Sequence, residues 1–149
     1  MANWCYNVIC LSGKYKNFAK QLKKHDYKIQ GFEIVRPGEN TRCIFELDEQ
    51  GEDTFSFTSK WIPPIEELVE RAKKGGFSFQ LDFEELGCGI YGRAYYKDGV
   101  LDEYYLDDSI FRRTDWDDDV FRVDGEEVES ESEFLEEELE KLVKLKRGG

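Results

Sequence analysis

Between Thr54 and Phe83 the hydrophobic period changes from two to helical spacing and back to two, which leaves few folds open. Phe55 and Phe57 alternate with Thr54, Ser56 and Thr58, the pattern of a strand with one buried face. Pro63 and Pro64 lack the N–H a ladder needs but suit the first turn of a helix. Ile65, Leu68, Val69 and Ala72 then form one apolar stripe, with Glu66 and Glu67 at its start and Arg71, Lys73 and Lys74 at its end, as the helix dipole favours. Gly75 and Gly76 supply a left-handed stop. Phe77, Phe79, Leu81 and Phe83 alternate with Ser78, Gln80 and Asp82 as a second one-sided strand. The segment reads as strand, tryptophan junction at Trp61, helix, strand.

Around this unit the chain supplies the remaining elements. Trp4 to Leu11 is a continuous apolar run, as expected of a central strand buried on both faces. Lys14 to His25 is an amphipathic helix, with Tyr15, Phe18, Ala19 and Leu22 on one face and Lys14, Lys16, Lys20, Lys23 and Lys24 on the other. Residues 26–40 read as a connector. Cys43, Phe45 and Leu47 alternate with polar neighbours before a hairpin turn at 48–53. Strands over Ile90–Tyr96 and Val100–Leu106 meet at Asp98-Gly99, a tight-hairpin pair. The order strand–helix–strand–strand–helix–strand predicts an α+β, ferredoxin-like (split βαβ) antiparallel sheet with two helices and extra edge strands. Ser109–Glu129 reads as irregular and acidic. Ser130 with Glu133 fits a capping box for a last helix striped by Leu135, Leu139, Leu142 and Val143. That helix either stays free or folds back over the open face of the sheet.

The expected organisation is a ferredoxin-like domain over 1–107 with an acidic segment and helix, 108–149, appended to it. Of the net charge of −12, residues 108–140 account for all of it, with 15 acids against 3 bases. Residues 1–107 carry 18 acids and 14 bases, or −4, and the last nine residues carry +4. A field that negative disfavours direct binding to nucleic acid. No signal pattern or long apolar run is present, so the expectation is a cytoplasmic protein without a membrane partner. Its 4 cysteines are then expected as thiols.

The opening Asn3, Trp4, Cys5 and Asn7, together with Phe57, Trp61, Pro63 and Pro64, resemble the YubB-type ferredoxin-like domain family. Glu84, Glu85, Gly87 and Gly92 occupy the region where that family places a Glu and a Gly. The resemblance covers roughly residues 1–105 and implies a ferredoxin-like fold and an origin in phage, plasmids or other mobile elements, hence a bacterial host cell. It implies no particular activity.

No cofactor, metal or catalytic constellation is expected. Cys5 and Cys10 point to opposite faces of one strand, and Cys43 and Cys88 lack zinc-site spacing. His25 is the single histidine, at the end of a lysine-rich helix. Asp115, Asp117 and Asp119 with Glu126 imitate a calcium loop, but Val120 replaces its glycine. Gly148-Gly149 reads as a frayed helix end. Asn3, Trp4, Cys5, Asn7, Trp61, Pro63 and Pro64 are expected as structural motif residues, Trp4 and Cys5 packing on opposite faces and the asparagines tying down strand ends.

The functional expectation is a non-enzymatic interaction protein that docks onto a host protein. Its sharper form has Asp115, Asp117, Asp118, Asp119, Glu126, Glu127, Glu129 and Glu131 imitate a phosphate backbone and occupy the nucleic-acid channel of a defence complex, such as a CRISPR effector or nuclease. The alternative is a single-stranded nucleic-acid binder that stacks bases on Tyr91, Tyr95, Tyr96, Tyr104 and Tyr105 beside a basic patch of the first helix. Oligomeric state stays open, because an edge strand can pair with a second copy.

Overall fold

The computed structural model describes residues 4–24, 45–60 and 62–147. Asn3, His25, the connector 26–40, Cys43, Trp61 and Gly148-Gly149 lie outside the described residues. Strand β1 (Trp4–Gly13) is followed by α1 (Lys16–Lys24), β2 (Phe45–Glu49), β3 (Thr54–Lys60), α2 (Ile65–Gly75) and β4 (Phe77–Glu85). A 3-10 turn (Leu86–Cys88) leads into the hairpin β5 (Ile90–Lys97) and β6 (Val100–Tyr105). These strands form one sheet in the order β2-β3-β1-β4-β5-β6, every neighbouring pair antiparallel. The protein is thus of the α+β class.

Helices α1 and α2 cover one face of the sheet. Phe18, Ala19 and Leu22 of α1 and Ile65, Leu68 and Ala72 of α2 share a core with Phe55, Phe57, Phe77, Phe79, Leu81 and Phe83. Phe55, Leu68 and Leu81 are fully buried, each worth about 1.5–3 kcal/mol of transfer free energy. Gly76 closes α2 in the left-handed conformation at φ 74°, and its N–H donates to Ala72 O at 2.8 Å. Gly92 is needed for space rather than dihedral freedom: a Cβ there would lie 2.3 Å from the Tyr104 carbonyl oxygen and 2.8 Å from the Phe83 ring.

Two sequence expectations require correction. First, β1 is not buried on both faces: its residues alternate strictly, with Cys5, Asn7, Ile9 and Leu11 buried and Trp4, Tyr6, Val8 and Cys10 exposed. The apolar run therefore supplies one core face and one aromatic surface. Second, Ser109–Glu129 is ordered. It holds a short helix α3 (Asp108–Arg112) and an antiparallel meander of β7 (Thr114–Asp117), β8 (Val120–Val123) and β9 (Glu126–Glu127). Asp118 and Asp119, at φ 48° and 64°, make the first turn, and Asp124 with Gly125, at 54° and 84°, the second. Asp tolerates positive φ better than most residues, so acidic residues build these turns.

The last helix, α4 (Glu131–Arg147), begins as its cap predicts, the Glu133 N–H donating to Ser130 Oγ at 3.2 Å. It folds back over β5 and β6 of the six-stranded sheet. Leu135 and Leu139 pack with Tyr104 and Leu106 in a second cluster, with Tyr91 and Tyr95 at its edge. The face over β3, β1 and β4 remains largely uncovered by described residues, with Tyr6 60% exposed. Among the described residues no helix is long and apolar enough to cross a membrane.

Candidate functional site

The Asn7 side chain is engaged within the fold. Its amide, 1% exposed on the helix-covered face, donates to Cys5 O at 3.1 Å and to Ser59 Oγ at 3.0 Å. Ser59 Oγ in turn donates to Ile62 O at 2.7 Å, just ahead of the buried Pro63 and Pro64. One asparagine thereby ties β1 to β3 and to the chain entering α2. Trp4 and Cys5 lie on opposite faces, Trp4 37% exposed and Cys5 wholly buried. Burial, with the Glu85 carboxylate adding to it and a Ser59 hydrogen bond opposing, pushes the Cys5 thiol up to about 11. Such a thiol is protonated at neutral pH and is a poor nucleophile. Glu85 is buried beside it; one oxygen accepts from the Gly87 N–H at 3.2 Å, and Oε2 has no hydrogen-bond partner.

The uncovered face of the sheet is organised in cross-strand rows. Val8, Asp82, Arg93 and Tyr104 stand side by side across β1, β4, β5 and β6, and Tyr6, Glu84 and Tyr91 form the next row. Arg93 is the hub: Nε meets Asp82 Oδ1 at 2.5 Å, Nη2 meets Glu136 Oε1 at 2.5 Å, and Nη1 lies 3.5 Å from Glu140. Burial works against its charge, but Asp82 and Tyr95 hold the guanidinium above its ordinary pKa. Tyr91 donates to Glu136 Oε2 at 2.8 Å, and burial together with that carboxylate raises its pKa. These contacts clamp α4 to the sheet. Between them opens a cleft of about 230 Å³, walled by Tyr6, Val8, Glu84 and Tyr91 on one side and Ser132, Glu136 and Leu139 on the other. Burial, with Glu131 nearby, raises the Glu84 carboxyl above its usual range.

The meander brings part of the acidic set together. Asp115 and Asp117 face outward on β7, opposite Arg122 and Val120, and Glu127 stands across Arg122 on β9. Arg122 reaches Asp117 at 3.3 Å and dilutes the negative face. Asp118 and Asp119 form the hairpin tip. Glu126 pairs with Val123 instead, Glu129 follows β9, and Glu131 accepts from Trp116 Nε1 at 2.8 Å. The calcium-like spacing of Asp115, Asp117 and Asp119 thus falls on a hairpin. Among the described residues no group of three or more His, Cys, Asp or Glu is placed to hold a metal ion. Exposed Glu133, Glu137 and Glu140 on α4 continue the acidic surface, joined to the meander by the Phe121–Phe134 contact at 6.2 Å.

The sheet tyrosines are not presented as a stacking platform. Tyr96 and Tyr104 are buried, Tyr91 lies against Glu136, and Tyr95 sits under the Arg147 guanidinium at 4.1 Å, leaving Tyr105 exposed. Exposed Lys16 and Lys20 lie on α1, across the sheet from Tyr91, Tyr95 and Tyr104. The residues the sequence reading missed are Tyr6, Arg93 and Glu136, and Glu84 entered it only through the family resemblance. The alternation of β4 puts Asp82 and Glu84 on one face, but nothing local announces that α4 closes over it.

These features define an antiparallel α+β domain whose polar chemistry gathers where the last helix meets the sheet. A family model described as "Ferredoxin-like domain in Api92-like protein" matches residues 42–141. The match spans more than half of the 149 residues, and the chain belongs to that family. No significant match was found among curated proteins or among solved structures.

Proposed function

We propose that the protein is a non-enzymatic interaction protein of a phage or other mobile element, and that its acidic meander and α4 dock onto a basic, nucleic-acid-binding surface of a host protein. The observation that carries this reading is the segregation of charge onto a folded surface: residues 108–140 hold 15 acids against 3 bases, in a meander and helix joined by an aromatic contact. Same-face strand neighbours such as Asp115 and Asp117 are about 7 Å apart. That is sparser than the roughly 3.4 Å per charge along one DNA strand. Imitation of a phosphate backbone therefore rests on the hairpin tip and the α4 stripe together, with a CRISPR effector or nuclease as the kind of target. A binding rather than catalytic role is supported by the motif residues themselves, since Cys5 is buried and protonated and Asn7 is engaged in structure.

The strand order β2-β3-β1-β4, with α1 and α2 on one face, supports assigning these elements to the split βαβ arrangement. The Asn7 and Pro63-Pro64 junction supports kinship with the YubB-type proteins and, through them, the mobile-element origin.

The test is a pull-down from bacterial lysate with the intact chain and with a variant carrying Asp115, Asp117, Asp118 and Asp119 as Asn and Glu126, Glu127 and Glu129 as Gln. Asn tolerates the positive φ of the turn. Truncation after Asp107 is unsuitable, because it uncovers Tyr104 and Leu106. The reading expects a nucleic-acid-binding protein retained by the intact chain, lost by the neutral variant and released by duplex DNA. Equal retention by both proteins, undisturbed by DNA, overturns it.

A further inference from the structure

Asp82 and Glu84 stand two residues apart on one face of β4, yet their neighbours differ. Across β5, Asp82 meets Arg93 and Glu84 meets Tyr91; across β1, Asp82 meets Val8 and Glu84 meets Tyr6. Asp82 therefore has its guanidinium, at 2.5 Å. Glu84 has a tyrosine on either side, and no ion pair to a described cation is formed. Instead Glu131 lies near enough to repel it, so the ionised carboxylate is disfavoured by burial and by a like charge. The row has what a guanidinium seeks, a carboxylate to accept its N–H groups and ring faces to lie on.

The surroundings are open to such a group. Tyr6 is 60% exposed, and Trp4 and Val8 continue the apolar strip along β1. The adjoining cleft of about 230 Å³ is below the roughly 300–1,000 Å³ of small-molecule pockets and is of side-chain scale.

We propose that this cleft receives an arginine side chain of a partner protein, with Glu84 accepting its charge and Tyr6 providing the ring beside it. Asp82 and Glu136 are committed to Arg93 and hold the cleft walls rather than the guest. The groups that receive the guest, Glu84 and Tyr6, lie on β4 and β1 rather than on β7–β9, so the proposal is tested separately from the acidic-mimic reading although α4 borders both surfaces.

The experiment is an NMR titration of the isotope-labelled full chain with an acetylated (Gly-Arg)₄ amide, and with counterparts in which citrulline or lysine replaces arginine. The proposal expects saturable amide shifts at Tyr6, Val8, Glu84 and Tyr91 with the arginine peptide, weak ones with lysine and none with citrulline. Glu84→Gln and Tyr6→Ser, each with a dispersed spectrum, weaken binding by about tenfold or more, the scale of one charge-assisted contact. The meander-neutral variant retains binding. Shifts centred on residues 115–127, equal binding of citrulline or lysine, or no saturable shift each overturn the proposal. The first of these leaves the acidic-mimic reading intact, whereas loss of partner retention without loss of peptide binding separates the two surfaces.

Discussion

Replacing Arg93 with methionine removes the charge that holds α4 to the sheet while keeping an apolar stem in place. The guanidinium side chain is 10% exposed and faces Asp82, Glu136 and Glu140. Without it, three carboxylates crowd one another and Tyr95 loses a donor at 3.3 Å. Orphaning one side of a fully buried pair costs about 3–5 kcal/mol. Asp82 and Glu136 are 34% and 43% exposed, so water screens part of that penalty and the expected loss is about 2 kcal/mol. For a chain of this size that lowers Tm by about 4–8 °C. Circular dichroism melts read the change, and hydrogen exchange should show the α4 amides losing protection first. The variant carrying Asp82→Asn and Glu136→Gln as well should recover to within about 1 kcal/mol of the parent, since the one carboxylate then left without Arg93 is Glu140, which at 55% exposure is solvated by water. A shift under about 1 °C, or no recovery in the triple variant, refutes the clamp.

Other outcomes follow from the same contacts. Leu139→Ala, at a position 1% exposed between β6 and α4, should cost about 3 kcal/mol in urea unfolding, whereas a loss under about 1 kcal/mol would mean that α4 is not part of the core. Iodoacetamide at neutral pH, followed by peptide mass mapping, should label exposed Cys10 and spare Cys5, whose thiol is buried and raised to about 11; early labelling of Cys5 contradicts the burial. Glu84 has a folded-state pKa above its ordinary 4.5, so between those values the folded state binds more protons and stability falls as pH rises. Glu84→Gln should therefore stabilise the protein at pH 7 by up to about 0.5 kcal/mol, given partial exposure. That gain should vanish once pH falls below 4.5, and urea midpoints at the two pH values check the sign.

The central segment was readable because its signals are local. Phe55 and Phe57, the Pro63-Pro64 stop, the α2 stripe and Gly76 each act through sequence neighbours, and β3, α2 and β4 appear where they place them. β1 was misread because its two faces are similarly apolar. Trp4, Tyr6 and Val8 look like core residues, while the buried polar residue is Asn7, whose partner Ser59 is 52 positions away. The meander was misread for the opposite reason. Asp disfavours strands, yet here it occupies the turns and outer face while Phe121 and Val123 make the buried inner one. The Asp124-Gly125 pair beside Val120–Val123 was the available signal. The candidate cleft had none, since Glu84 becomes notable only once β1 and β5 place tyrosines on either side of it and α4 closes the wall.

Hydrogen exchange on the chain bound to its retained partner tests the central claim most directly, because it reads which surface is covered. The account predicts added protection over residues 114–131 and the first turns of α4, with the arginine site adding protection over Trp4–Val8 if that surface is also engaged. Protection confined to α1 and α2, on the opposite side of the sheet, would contradict it.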